Sequence, residues 1–325
     1  MSHGQWYPPE WPDRIRALAD GELTPAPARR AATVMLLRDR TEGADAAGGP
    51  VLVHMLRRRA SMAFAGGAYA YPGGGVDPRD DDHHVRWAGP DLESWARRLG
   101  VGTVAEAQAI VCAAVRETYE EAGVLLAGPS SDTVVSDTTG ADWEADREAL
   151  AAHELSFADF LDRRGLVLRS DLLGAWARWI TPEFEPRRYD TWFFVAALPG
   201  GQRTRNASTE ADRTVWIGAG EAVDGHDRGE LLMLPPTVST LRRLRPYATV
   251  ADALRGAASQ DLAPVLARAR FENGAMVLDW PGHEEFTRRM PAGAGARTGT
   301  GGGAGGGGNG GSGRGGAGGV GGEGI

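Results

Sequence analysis

The chain has 325 residues, of which 42% are hydrophobic and 7% aromatic, so a buried core is expected and a wholly disordered chain is excluded. Its 35 basic and 43 acidic residues give a net charge of −8, which provides no overall positive field to attract nucleic acid. No apolar run approaches the roughly 18 residues of a membrane span, and the polar, proline-broken start is unlike a signal peptide. A single cysteine, Cys112, excludes an intrachain disulfide and a cysteine-built metal site. We expect a cytoplasmic protein that binds neither nucleic acid nor membranes, and the composition leaves its oligomeric state open.

Composition divides the chain into three regions. Residues 1–30 are rich in proline and tryptophan and show no clear period, which predicts an arm or linker. Residues 31–290 carry nearly all of the strand and helix patterns and are predicted to form one domain. Residues 291–325 contain 20 of the 47 glycines and too few apolar side chains to fold, which predicts a disordered tail.

Within the central region, strand and helix patterns are interspersed. Apolar, β-branched or aromatic runs predict strands at ATVMLL, VLVHML, AYAYPGGG, WARWI, YDTWFFVAAL and TVWI. Helices are predicted at about 104–122, within 146–164, near Glu221 and at PPTVSTLRRL. Strands with helices on either side indicate an α/β or α+β sandwich.

The helix predicted at 104–122 carries the most informative pattern. Thr103 and Glu106 form a capping box at its start, and Gly123 stands where a left-handed terminating residue belongs. Cys112 falls on the apolar face, which predicts a core residue and not a nucleophile. Three glutamates share the opposite face: Glu117, Glu120 and Glu121. They are either a solvated acidic face, which costs little, or hard oxygen ligands for Mg²⁺ or Mn²⁺.

Two stretches around this helix resemble the halves of the Nudix box. That pattern is a glycine, five residues, a glutamate, seven residues, and then R-E-aliphatic-x-E-E-x-G-aliphatic. RETYEEAGV at 116–124 matches the second half, with Thr118 at an aliphatic position. PGGGVDPRD at 72–80 matches the first half at Gly74, with Asp80 in the glutamate position. Between Asp80 and Arg116 lie 35 residues where the family has seven, so the box contains 28 additional residues. The polar insertion, placed at about 81–102, is expected to lie beside the substrate.

The interruption itself resembles the coenzyme A diphosphatase-like branch of the family. Three flanking stretches support this resemblance: GAYAYPGG, WITPEFEPRRYDTWFF and LPPT. One position departs from it, since Ala63 stands where the coenzyme A signature has an arginine. The resemblance implies a Nudix α/β/α sandwich with a mixed sheet, an insertion in the box and C-terminal helical additions. It implies metal-dependent hydrolysis of a diphosphate bond, with coenzyme A or acyl-coenzyme A as the leading substrate. Two alternatives are open: the protein hydrolyses another nucleoside diphosphate derivative, or it is a non-catalytic nucleotide sensor.

The resemblance also implies roles for individual residues. Glu117, Glu120 and Glu121, with the Gly73 carbonyl, would hold Mg²⁺ or Mn²⁺ over a diphosphate, with Glu117 or a neighbour as base. Arg116 would hold a glutamate in place, and Gly74 would let the backbone approach the substrate. Glu210 is either a further metal ligand or a polar loop residue. Arg187 and Arg188 either bind substrate phosphates or are solvated loop residues. His83 and His84 are interpreted as surface residues.

Overall fold

The computed structural model describes residues 10–40, 49–61, 65–82, 84–273 and 275–291. The glycine-rich tail, His83 and the first nine residues of the predicted arm lie outside these ranges, so the predictions made for them stay predictions.

All six predicted strand segments form strands, and the described part of the chain contains fourteen strands in all. In chain order they are β1 (Arg29–Asp39), β2 (Val51–Arg58), β3 (Tyr69–Ala70), β4 (Gly73–Gly75), β5 (Trp87–Ala88), β6 (Ala127–Gly128), β7 (Val167–Arg169), β8 (Gly174–Ile180), β9 (Tyr189–Ala197), β10 (Ala211–Gly218), β11 (Val265–Leu266), β12 (Arg268–Glu272), β13 (Ala275–Asp279) and β14 (Arg288–Pro291).

Helices flank these strands along the chain. They are α1 (Trp11–Ala19), α2 (Leu92–Leu99), α3 (Val104–Ala122), α4 (Ala141–Ala151), α5 (Phe157–Arg163), α6 (Ala219–Asp227), α7 (Pro235–Leu244) and α8 (Val250–Gly256). The predicted helix at 104–122 and those near Glu221 and at PPTVSTLRRL are confirmed. The helical pattern within 146–164 is divided between α4 and α5. No single helix among the described residues is long and apolar enough to cross a membrane, and α2 and α3 meet that criterion only as a pair bent by 85°.

The main sheet is mixed, with strand order β10-β2-β1-β9-β8-β11. β1 lies parallel to β9 along most of its length and antiparallel to β2 near its end. Near its start β1 pairs with the glycine strand β4, where Thr33 lies opposite Gly73. A strand paired on both edges and covered on both faces must be apolar throughout, which explains the continuous apolar run in β1.

Side chains alternate between the two faces of the sheet, and each face carries its own helical layer. Ala32, Val34 and Leu36 of β1 belong to the cluster built on α3, while Met35 and Leu37 belong to the cluster formed with α6, α7 and α8. Helices therefore cover both faces of a mixed sheet, and the predicted α/β/α sandwich is confirmed.

The predicted N-terminal arm is wrong for part of its length. Residues 11–19 form α1, in which Ile15 is only 1% exposed. Trp11 packs edge-to-face on Phe184 with ring centroids 5.1 Å apart, and Arg14 donates from Nε to the Phe184 carbonyl oxygen. The segment is short and begins with a proline, so its helical period is easily missed, and its burial against a distant loop fixes it.

The insertion is also not the polar loop that its composition suggests. It contains β5 and α2, whose Trp95 and Leu99 are buried. Nε1 of Trp95 donates to Oγ of Ser170 at 3.1 Å, and Nε1 of Trp192 in the main sheet donates to the Leu99 carbonyl at 3.0 Å. The insertion is therefore part of the core between α3 and the sheet, because its two large apolar side chains are spaced to share one helix face.

The C-terminal additions contain more than helices. The predicted helices are present, and β12, β13 and β14 follow them as a separate antiparallel sheet. Met276 and Leu278 of this sheet are buried in the same cluster as α7 and α8. Their alternation within a short, partly charged stretch gives only a weak strand signal in the sequence.

Candidate active site

The helix that carries the three glutamates begins and ends as its sequence predicts. The Thr103 side chain accepts from the Glu106 backbone, and the Glu106 side chain accepts from the Thr103 backbone. Gly123 ends the helix at φ 69°, a left-handed conformation that favours glycine. Cys112 is fully buried, which confirms its assignment to the core.

Arg116 connects the two halves of the box. Its Nε and Nη2 donate to the two carboxylate oxygens of Asp80 at 3.1 and 3.0 Å. Nη2 also donates to the Gly75 carbonyl at 2.8 Å. Nη1 donates to Oε1 of Glu117 at 2.7 Å and to Oε1 of Glu120 at 3.2 Å. Arg116 thus contacts two glutamates, Glu117 and Glu120, while its predicted role in holding a catalytic glutamate stays a prediction.

Asp80, whose role the sequence leaves open, is the buried partner of this arginine. Its side chain is almost fully enclosed, and its Oδ2 also accepts from the Asp77 backbone N–H at 2.8 Å. Both oxygens are therefore occupied by Arg116 and the loop, which makes Asp80 a supporting residue of the glycine loop.

The glycine loop lies directly on the glutamates, and two of its glycines are required by space. A Cβ atom on Gly74 would lie 2.5 Å from Oε1 of Glu117, and one on Gly73 would lie 2.5 Å from the Ala32 carbonyl oxygen. A larger residue at Gly73 would meet the backbone of β1 and separate the loop from that strand, whereas one at Gly74 would displace the Glu117 carboxylate. In the structure the group beside Gly74 is Glu117, and the predicted approach of Gly74 to the substrate stays a prediction.

Glu121 is held at both of its oxygens. The Gly73 backbone N–H donates to Oε2 at 2.8 Å, and the Ser208 hydroxyl donates to Oε1 at 3.1 Å. The family resemblance implies that the Gly73 carbonyl binds a metal, whereas in the structure it is the Gly73 backbone N–H that contacts Glu121. Ser208 was not predicted, because it lies in a loop 87 residues further along the chain with no motif of its own.

The three glutamates are enclosed, which excludes the solvated acidic face. Burial raises the pKa of Glu117 to about 7 and that of Glu121 to about 8, and it also raises the pKa of Glu120. The neighbouring carboxylates add to these shifts, and Arg116 only partly opposes those of Glu117 and Glu120. Carboxylates outnumber positively charged side chains in this group, so the negative charge of the ionised glutamates is only partly neutralised.

Hard oxygen donors with uncompensated negative charge fit a divalent cation such as Mg²⁺ or Mn²⁺. Glu117, Glu120 and Glu121 are the side chains that could hold it. In the described ranges no three acidic, histidine or cysteine side chains already surround a single point at ligand distance. Binding would therefore require at least one of these glutamate side chains to move towards the others.

Comparison with known proteins agrees with this geometry. A family model described as the NUDT19 Nudix domain matches residues 93–244. The chain is 27% identical over 274 residues to human acyl-coenzyme A diphosphatase NUDT19, covering 71% of this chain and 72% of that protein. The crystal structure of a Nudix hydrolase from Alicyclobacillus acidocaldarius is 25% identical and covers 74% of this chain and 99% of its own, with a TM-score of 0.58. The chain therefore resembles the Nudix hydrolases over most of its length.

The similarity supports a pyrophosphohydrolase, and the chain retains the acidic half of the box. The chicken NUDT19 protein is 26% identical over 243 residues. That alignment covers 61% of this chain and 62% of the chicken protein, so the chain spans less than two thirds of that relative.

Glu210, the predicted fourth carboxylate, lies at the same end of α3 as Glu121. Its charge contributes to the raised pKa of Glu121, so the two carboxylates are close enough to repel each other. Its own Oε2 lies 3.5 Å from Nη2 of Arg58, and more than half of its side chain is exposed. Glu210 is thus near the site and currently paired with an arginine.

The two arginines proposed for phosphate binding differ in their surroundings. Arg188 donates from Nη1 to the Ala26 carbonyl at 2.7 Å and from Nε to the Thr181 carbonyl at 3.1 Å, which attaches the segment before β1 to the sheet. Arg187 is exposed. The described contacts join neither arginine to the glutamates. His84, beside the undescribed His83, is exposed and forms an ion pair with Asp82.

Proposed function

We propose that this protein is a Nudix hydrolase that cleaves the diphosphate bond of coenzyme A or an acyl-coenzyme A in the presence of Mg²⁺ or Mn²⁺. The observation that carries the proposal is the enclosed group of Glu117, Glu120 and Glu121, held against a glycine loop by one arginine. The substrate class rests on similarity to the NUDT19 proteins, which are acyl-coenzyme A diphosphatases by name. The products would be adenosine 3′,5′-bisphosphate and phosphopantetheine or its acyl form.

Each residue of the group has a task in this reaction. Glu117, Glu120 and Glu121 would hold the cation, which neutralises phosphate oxygens and activates a water when bound. Arg116 keeps Glu117 and Glu120 in place and is itself fixed by Asp80. Glu117 or a neighbouring glutamate would accept a proton from the attacking water.

Two other functions remain in view. Hydrolysis of a different nucleoside diphosphate derivative would use the same residues, and only the substrate contacts would differ. A non-catalytic nucleotide sensor would not need three enclosed glutamates whose burial opposes ionisation. The intact glutamate set therefore favours an enzyme over a sensor.

A substrate panel tests the proposal. Coenzyme A, acetyl-coenzyme A, a long-chain acyl-coenzyme A, ADP-ribose and diadenosine tetraphosphate are incubated with the protein and Mg²⁺ or Mn²⁺, and the products are separated by chromatography. We expect adenosine 3′,5′-bisphosphate from the coenzyme A compounds and the highest kcat/KM on one of them. Preferential cleavage of ADP-ribose or of diadenosine tetraphosphate would contradict the substrate. Binding of nucleotide without turnover in excess cation would support the sensor.

A further inference from the structure

A segment outside the box contacts the end of α3 beside the glutamates. Residues 204–210, here called the clamp segment, are the last part of the connection between β9 and β10. The Arg205 backbone N–H donates to the Ala122 carbonyl at 2.9 Å, and the Ala207 N–H donates to the Glu121 carbonyl at 3.3 Å. The last carbonyls of a helix lack partners within the helix, so these bonds attach the clamp segment to the end of α3.

Arg147 of α4 completes this attachment. Its Nη1 donates to the Glu120 carbonyl at 2.9 Å and to the Ala207 carbonyl at 3.4 Å. The Gly123 N–H donates to the Tyr119 carbonyl at 2.9 Å, so each of the last four carbonyls of α3 has a partner. The clamp segment is also fixed at its start, where Nε1 of Trp216 donates to Oγ1 of Thr204 at 2.9 Å.

The clamp segment presents one side chain to the glutamates. The Ser208 hydroxyl accepts from the Glu210 backbone N–H at 3.2 Å and donates to Oε1 of Glu121 at 3.1 Å. A hydroxyl has a single proton to donate, and the Glu210 amide occupies a lone pair, so the Ser208 proton is directed to Glu121. With Gly73 on Oε2, the plane of the Glu121 carboxylate is then defined from both sides.

We propose that Ser208 is a positioning residue that holds the Glu121 carboxylate in the orientation needed to bind the divalent cation. The proposal rests on the proposed function only in taking that cation to be the reaction's metal. Without the Ser208 hydroxyl, Glu121 keeps one of two side-chain constraints and can rotate about its carboxylate bond. Loss of a hydrogen-bonding partner of a metal ligand typically lowers metal affinity about 10- to 100-fold.

The test measures Mn²⁺ binding directly, in the full chain and without substrate, from the electron paramagnetic resonance signal of free Mn²⁺. Ser208→Ala should weaken Mn²⁺ affinity about 10- to 100-fold. Ser208→Thr keeps the hydroxyl and should bind nearly as the wild type does. Ser259→Ala is the matched control, since its exposed hydroxyl donates to the Gly256 carbonyl far from the site.

A double substitution separates positioning from general destabilisation. If Ser208 acts through Glu121, Ser208→Ala should cause no further loss of Mn²⁺ affinity in a Glu121→Gln background. For a hydrolysed substrate, the single variant should lower kcat at limiting Mn²⁺ and leave KM nearly unchanged.

Wild-type Mn²⁺ affinity in Ser208→Ala, or an equal loss in the two backgrounds, would overturn the proposal for Ser208. Absence of hydrolysis by the wild type would overturn the proposed function and not the role of Ser208, because the Mn²⁺ measurement needs no turnover.

Discussion

Asp80 and Arg116 form a two-pronged ion pair between residues that are 36 positions apart, with N···O distances of 3.0 and 3.1 Å. The two side chains are only 1% and 5% exposed. The pair brings the glycine loop back to the helix across the whole insertion. An interrupted box therefore regains its spatial arrangement, and an aspartate is long enough because the loop approaches the guanidinium closely.

Asp80→Ala should destabilise the protein strongly, since it leaves the Arg116 guanidinium buried with a missing partner. Removal of one member of a buried ion pair costs about 3–5 kcal/mol. Chemical denaturation would measure the loss. The control is Asp212→Ala, which breaks an exposed pair with Arg57 and should have a small effect. Equal losses in the two variants would contradict the role assigned to Asp80.

The enclosed glutamates should make the metal-free protein less stable as the pH rises from 5 to 8. The folded state raises the pKa of Glu117 to about 7 and of Glu121 to about 8, so it retains protons that the unfolded chain has already released. Their stabilising effect is present below about pH 4.5 and is lost as the pH rises towards 8. The thermal midpoint in EDTA should therefore fall more from pH 5 to pH 8 in the wild type than in Glu121→Gln. Mn²⁺ should raise the wild-type midpoint more at pH 8 than at pH 5, and an equal rise would contradict this prediction.

Burial of His54 in β2 should lower the stability of the protein at acid pH. Its ring is fully buried near Trp216, neither ring nitrogen has a hydrogen-bond partner in the described structure, and burial lowers its pKa to about 4. Between about pH 6.5 and pH 4 the His54 ring is protonated in the unfolded chain but stays neutral in the folded protein. The free energy of unfolding therefore falls as the pH drops through this range. At pH 4.5 this amounts to about 2–3 kcal/mol.

His54→Phe should remove that part of the acid sensitivity, as measured by denaturation at pH 7 and pH 4.5. Replacement of the exposed His84 in the same way is the control. An unchanged difference between the two pH values in His54→Phe would show that other groups cause the acid sensitivity.

The insertion should behave as part of the core. Trp95→Ala removes a buried side chain and its hydrogen bond to Ser170, and such truncations cost about 3–5 kcal/mol. We expect lower stability and an equal loss of activity on every substrate. Val104→Ala, an exposed apolar residue at the start of α3, serves as the control. A stable Trp95→Ala variant with an altered substrate preference would instead place the insertion at the substrate mouth.

Much of the fold could be predicted from local patterns. The apolar runs of β1, β2 and β9 and the capped helix α3 carry their signals within a few residues each, because periodicity and capping are local properties. α1 and α2 carry no such local signal. Each is short, and its burial depends on partners far along the chain, such as Phe184 for Trp11 and Ser170 for Trp95.

The site divides in the same way. Arg116 and the three glutamates are read from one helix, and Gly74 from one loop. Ser208 and Arg147 belong to segments that acquire their role only through contact with the end of α3. Nothing in their neighbouring residues distinguishes them from other loop or helix side chains, so no local pattern indicates their role.

Arg187 offers a test of substrate recognition. Coenzyme A has a 3′-phosphate that dephospho-coenzyme A lacks, and a charge-assisted contact contributes about 1.5–3 kcal/mol. If Arg187 binds that phosphate, Arg187→Ala should lower kcat/KM for coenzyme A roughly 10- to 100-fold and barely affect dephospho-coenzyme A. Arg188 is left intact, since it attaches the chain before β1. Arg268→Ala is an exposed arginine control. A wild-type preference for coenzyme A that survives Arg187→Ala would place the phosphate contact elsewhere.

The most direct test of the glutamate group is the turnover of Glu121→Gln on the wild-type substrate at saturating Mn²⁺. The substitution preserves shape and removes the charge of a carboxylate that burial already disfavours, so the variant should fold and be at least as stable as the metal-free wild type at pH 8. We predict a loss of turnover of about 100-fold or more, with an unchanged circular dichroism spectrum. Turnover near the wild-type rate in the folded variant would contradict the assignment of Glu121 and, with it, the proposed metal site.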